Sequence, residues 1–143
     1  MSPTAQNPLK LLAHDADDLA ILSAALQDAV VKVGDITFEP NSRQLTIAFN
    51  RFRWEVGQGQ RVRSALQLGS VLTVQGRKIR RDARDAVLEL LAVTFEPGDL
   101  PGGRVVLTFA GGGDLRAEVE CLEAVLADVS APWSTRRRPT HKE

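Results

Sequence analysis

Two stretches of the chain read almost alike: DAVVKVGDITFEP at residues 28–40 and DAVLELLAVTFEP at residues 85–97. Seven of their 13 positions are identical, Asp-Ala-Val at the start and Thr-Phe-Glu-Pro at the end, at an offset of 57. Val31/Leu88, Val33/Leu90 and Ile36/Val93 are close apolar substitutions. Both stretches are rich in strand-forming residues and both stop at a proline. Each leads, after a turn, into an apolar strand ending in Phe49 or Phe109. A second change of direction follows, at Asn50–Arg51 or at the triplet Gly111–Gly113, a hairpin signal. The pattern predicts two β-meanders of one design, an internal repeat of 28–56 against 85–119. Two copies are too few for a solenoid, which needs about three.

Working outward, residues 1–14 read as a lead-in in which Leu9, Leu11 and Leu12 add a short strand. Asp15 reads as an N-cap, with Asp17 and Asp18 in the first turn, where the helix dipole favours negative charge. Leu19, Leu22 and Leu26 then recur at helical spacing, which predicts a helix over 16–27. Leu45, Ile47 and Phe49 alternate, and Phe52, Trp54 and Val56 alternate with the opposite parity. That switch predicts a bulge or tight turn near Asn50–Arg51. It also places Phe52 and Trp54 in the core, with Arg51 and Arg53 on a basic outer face.

Residues 62–75 read as two short strands or one broken at Gly69, and 76–84 as a basic loop. Leu115, Ala117, Val119 and Cys121 give a further alternating face. Leu122, Val125, Leu126 and Val129 lie on one helical stripe stopped by Pro132, so a C-terminal helix is expected. The expected fold is α+β, with six or seven antiparallel strands. They form a strongly bent sheet or partly open barrel between an N-terminal and a C-terminal helix. A pleckstrin-homology-like barrel has this size and a closing C-terminal helix. The domain is expected to span 15–134, followed by a disordered basic tail at 135–143.

With 143 residues, 43% hydrophobic and 25% charged, the chain fits one globular domain and excludes collagen, wholesale disorder and a disulfide scaffold. The lone Cys121 permits no intrachain disulfide and suits a reducing compartment. No signal peptide or bilayer-spanning run is read, so the expected location is the cytoplasm, without membrane contact.

The 18 Lys and Arg balance 18 Asp and Glu. That zero is a sum of opposed segments. Residues 51–84 carry nine basic against two acidic residues, a net of +7, and residues 85–134 a net of −7. The basic segment makes Arg51, Arg53, Arg61, Arg63, Arg77, Lys78, Arg80 and Arg81 the candidates for anion or partner binding, through forked, charge-assisted hydrogen bonds. Opposed segments also suit a homodimer in which unlike ends associate.

The segments LKLLAHDADDLAILSAALQDAVVKVGDITFEP, NRFRWE, DAVLELLAVTFEP and LTFAGGGDLRAEVECLEAVLADVSAPW resemble the domain-of-unknown-function family 2948, found mainly in alphaproteobacteria. The resemblance runs from Leu9 to Trp133. It implies a bacterial cytosolic protein and brings no established activity, cofactor or catalytic residue.

The remaining motifs point away from catalysis. Cys121 lies between Glu120 and Glu123, which oppose thiolate formation, and reads as a buried structural cysteine. No Cys or His pair has metal-ligand spacing, so neither metal nor cofactor is expected. His14 reads as an exposed neighbour of the cap, and GQGQR (57–61) as a flexible loop rather than a phosphate cradle. Glu39 and Glu96, which close the repeats, would meet only in a symmetric carboxylate pair. The leading expectation is a non-catalytic protein-binding or adaptor domain. The alternative is a polyanion or nucleic-acid binder working through 51–84 and the tail. Third is an enzyme that sets Arg and an acid such as Glu55 or Asp82 on a small anionic substrate.

Overall fold

In the computed structural model, which describes residues 8–53 and 59–134, the helix is set by its first turn. Asp15 has extended backbone, and its carboxylate accepts the Asp18 N–H at 2.8 Å. The helix α1 then runs Ala16–Ala25, with Leu19, Leu22 and the following Leu26 buried. Replacing Asp15 with alanine is expected to cost about 1 kcal/mol. A urea titration checks it: the midpoint falls while the slope is unchanged.

The remainder is sheet. Its strands are β1 (Lys10–Ala13), β2 (Val30–Lys32), β3 (Ile36–Glu39), β4 (Gln44–Phe52), β5 (Gln60–Leu68) and β6 (Val71–Arg77). After them come β7 (Val87–Pro97), β8 (Gly103–Phe109), β9 (Asp114–Val119), β10 (Ala124–Asp128) and β11 (Trp133–Ser134). The described residues form mostly antiparallel sheet with one α-helix, the strands ordered β1-β10-β5-β4-β2-β7-β8-β9-β6, while β3 adds to β4 and β11 to β5. The stretch 28–40 is thus not one strand: a turn of 3₁₀-helix at Val33–Asp35 divides β2 from β3.

The path is open, yet it must curl. Six strand spacings separate β5 from β6, about 29 Å in a flat sheet. The link from Leu68 to Val71 spans at most about 11 Å. The corner is held by backbone bonds, Gly69 N–H to the Glu123 carbonyl and Glu120 N–H to the Ser70 carbonyl, both 2.9 Å. The curled sheet encloses one core, in which Leu45, Ile47 and Phe49 of β4 join Val105, Leu107 and Phe109 of β8. Across its middle Val31 pairs with Leu88, its own counterpart at the offset of 57. Beyond Leu90, the side of β7 turned away from β8 is covered by α1: the Val93 N–H donates to Ser23 Oγ at 2.9 Å. A covered edge offers no template for another chain.

Several expectations are corrected. The predicted C-terminal helix is strand β10, hydrogen-bonded on one side to β1 and on the other to β5. Leu122, Ala124 and Leu126 are buried in alternation, a period that a small alanine conceals in the sequence. Without that helix the pleckstrin-homology comparison loses its main support. Among the described residues the sheet has eleven strands rather than six or seven. The short strand expected in the lead-in is present as β1, which joins the sheet by pairing with β10.

No bulge interrupts β4. Its register with β5 is continuous from Leu45 to Phe52, so Arg51 takes the inward position after Leu45, Ile47 and Phe49. Arg51 and Arg53 are buried, at 0% and 1% exposure, not on an outer face. Phe52 is buried as expected; Trp54, Val56 and the tail lie outside the described residues.

The burial of Arg51 is compensated. Its Nε and Nη2 donate to the two carboxylate oxygens of Asp128, each at 3.1 Å. Ser64 Oγ donates to Asp128 at 2.6 Å and accepts from Arg51 Nε at 3.0 Å. The Leu9 N–H donates to the same carboxylate at 2.8 Å. One acid at the end of β10 thus ties together β4, β5 and the chain entering β1. A buried ion keeps its charge only with such partners.

Candidate functional site

The basic segment does not form one face. Arg51 and Arg53 are sealed inside, and Arg53 donates to Gln60 Oε1 at 2.7 Å. Arg61 is half-buried, on the strand position that pairs with Trp133. Arg63 is held by Asp35 at 3.1 Å and Asn50 at 3.3 Å, beside a small hollow of about 310 Å³. Lys78 and Arg80 are exposed, and Arg80 lies 3.7 Å from Asp82.

Arg77 and Arg81 do come together, with Arg84, around a cleft of about 720 Å³. Two sheet edges frame it. Strand β3 is paired on one side, with β4, and β6 on one side, with β9. At one end the gap is closed where the Val71 N–H donates to the Arg43 carbonyl at 2.9 Å. At the other, the loop 78–86 is fastened to the segment before β3. Gly34 N–H donates to the Arg84 carbonyl at 2.8 Å, and Val33 N–H to the Ala86 carbonyl at 2.9 Å.

The floor is apolar, with Val33, Ile36, Phe38, Leu45, Val74, Ile79 and Leu115. Ile79 explains the course of the basic loop: it packs against the core from within RKIRR and turns its neighbours toward the rim. Arg84 Nη2 donates to the Gly34 carbonyl at 3.3 Å. Arg77 has only a distant acid, Asp114 at 3.9 Å, and Asp114 is more closely engaged by Arg116 at 3.1 Å. Arg81 is exposed and makes no ion pair within 4.0 Å among the described residues. No Asp or Glu lines the cleft among the described residues. Three guanidinium groups therefore border an apolar floor, and Asp114, at 3.9 Å from Arg77, is the acid paired with them among the described residues.

Charge in the sequence pointed to Arg77 and Arg81, but the floor was missed, because it comes from β3, β4, β6 and β9. The available signal was Ile79, one apolar residue set in a basic loop.

The other candidates resolve individually. Glu39 faces Gln44 across its hairpin, whereas Glu96 faces Arg104 at 3.6 Å, so each carboxylate belongs to its own turn. The hydrogen bond and charge of Glu118 raise the Arg104 pKa further, with Glu96 adding a smaller contribution. Cys121 is half-buried rather than buried, with Sγ 3.7 Å from Ser70 Oγ at the sheet corner. His14 is exposed, and its backbone N–H donates to Asp18 Oδ2 at 3.2 Å. Residues 57 and 58 of the expected GQGQR loop lie outside the described residues. Among the described residues no three His, Cys, Asp or Glu are grouped to hold a metal, and no helix is long and apolar enough to cross a membrane.

A strongly curled antiparallel sheet with one helix and an arginine-rimmed cleft defines a small α+β domain. Residues 9–141 match the model of the family described as protein of unknown function (DUF2948), and the chain belongs to that family. No curated protein matches the chain.

Proposed function

We propose that this is a non-catalytic binding domain and that the cleft between β3, β6 and the loop 78–86 is its recognition site. The observation that carries the reading is the apolar floor beneath Arg77, Arg81 and Arg84, with no acid in the lining. Guanidinium forks suit carboxylate, sulfonate or phosphate groups, and the floor suits an apolar body attached to one. The volume falls within the range of ligand pockets, about 300–1,000 Å³. A bacterial cytoplasmic setting belongs to the same reading.

Anilinonaphthalene sulfonate, an aromatic ring system with one anionic group, tests it by fluorescence titration. Saturable binding at one site is expected. Arg81→Glu should weaken it about tenfold or more, from the loss of one charge-assisted contact and the gain of a repulsive one. Because Arg81 is exposed, the unfolding free energy of the variant from urea titration should stay within about 0.5 kcal/mol of the wild type. Equal binding by both proteins would refute the cleft as the site.

A polyanion or nucleic-acid partner has less support. Arg51 and Arg53 are buried and Arg63 is engaged by Asp35, which leaves a smaller exposed basic surface than the +7 segment suggests.

A further inference from the structure

We infer that the occupant of the cleft is a single-chain amphiphile with an anionic head group, a carboxylate or phosphate on an unbranched alkyl chain. This rests on the cleft being the recognition site and adds the chemistry and orientation of its ligand.

Three observations carry the inference. First, the cleft is closed at both ends by backbone bonds, Arg43 to Val71 at one and Gly34 to Arg84 at the other. A polypeptide cannot run through it as an added strand, although β3 and β6 both offer edges. The occupant must be short enough to lie between the closures.

Second, the charge is polarised along the cleft. Strand β6 starts beside Arg43 and ends at Arg77, so Arg77, Arg81 and Arg84 all belong to the Gly34 end. Toward the Arg43 end the lining is Phe38, Pro40 and Leu45, with no charged side chain among the described lining residues. A head group is therefore placed at the loop 78–86, and a chain runs between β3 and β6 toward the 40–43 turn.

Third, Arg81 has no acid within ion-pairing distance among the described residues, and Arg77 has only one at 3.9 Å. The charge of Arg81 is left for an incoming anion, and that of Arg77 is only weakly countered by an acid that Arg116 holds more closely. Ile36 and Phe38 of β3 and Val74 of β6 give the strip between the two strands an apolar surface along which an alkyl chain can lie.

The test is displacement of bound anilinonaphthalene sulfonate from the full chain by octanoate, decanoate, dodecanoate, decyl phosphate and decanol, each below its micelle concentration. The carboxylates should displace the dye, with affinity rising roughly fourfold per added methylene, and decanol should fail. Decyl phosphate against decanoate decides which head group the arginines prefer. Arg81→Glu should weaken decanoate at least tenfold, and Arg81→Lys less than that, since a point charge keeps the attraction and loses the fork. Decanoate should also raise the melting temperature of the wild-type protein in proportion to its occupancy, which requires no variant to fold.

Decanol competing as well as decanoate would overturn the inference, as would affinity that ignores chain length. If the dye binds the cleft but only an acidic, apolar peptide displaces it, the amphiphile is wrong while the recognition site stands. If the dye never binds in an Arg81-dependent way, the recognition site itself is wrong.

Discussion

Asp128→Ala is expected to destabilise the protein by about 3–5 kcal/mol, the cost of leaving a buried charge without its partner. The Asp128 side chain is 2% exposed and that of Arg51 0%, so water cannot replace the lost carboxylate. The Leu9 N–H and the Ser64 hydroxyl lose their acceptor in the same step. Against a total stability of about 5–15 kcal/mol, this removes a large share. Differential scanning calorimetry should show the melting temperature falling by roughly ten degrees or more. Adding Arg51→Met removes the stranded cation and should recover much of the loss, because replacing both members of a buried pair is far cheaper than removing one. A double variant no more stable than Asp128→Ala would show that the charge pair is not what holds this part of the sheet.

The second large effect is expected at two positions together. Phe49→Ala and Phe109→Ala should each cost about 3–5 kcal/mol, from lost transfer free energy and the cavity left behind. Phe49 is 0% exposed and Phe109 1%. Both lie on long strands that face the one core, Phe49 on β4 and Phe109 on β8. Urea titration of both variants should therefore give similar losses. A difference larger than about 2 kcal/mol would mean that the core relaxes around the two cavities to different extents.

The elements legible in the sequence were those whose signals are local. Asp15 is followed within three residues by the N–H it caps, and Leu19, Leu22 and Leu26 mark one helix face. Gly111–Gly113 turns β8 into β9 without outside help. The misread elements are decided by distant partners. Leu122, Val125, Leu126 and Val129 satisfy a helical spacing, but β1 and β5 offer ladders on both sides of residues 124–128, and pairing on both edges outweighs local propensity. Arg51 broke the alternation of β4 only because a charge was assumed to face water. Its partner stands 77 residues later, beyond any local pattern. The site divides in the same way. Arg77 and Arg81 announce themselves by charge, whereas Phe38 and Val74 join them only after the sheet has curled.

The pairing of β1 with β10 also governs the time order of folding. Lys10 bonds opposite Ala127 and Ala13 opposite Ala124, so an early strand waits for a late one. A chain leaving the ribosome exposes Leu9 and Leu11 until residues 124–128 have emerged and settled on β5. Contacts of such long separation slow folding and prolong the interval in which apolar segments are open to other chains. Asp128, which receives the Leu9 N–H, then acts as a latch that closes only when nearly all of the sheet has been made.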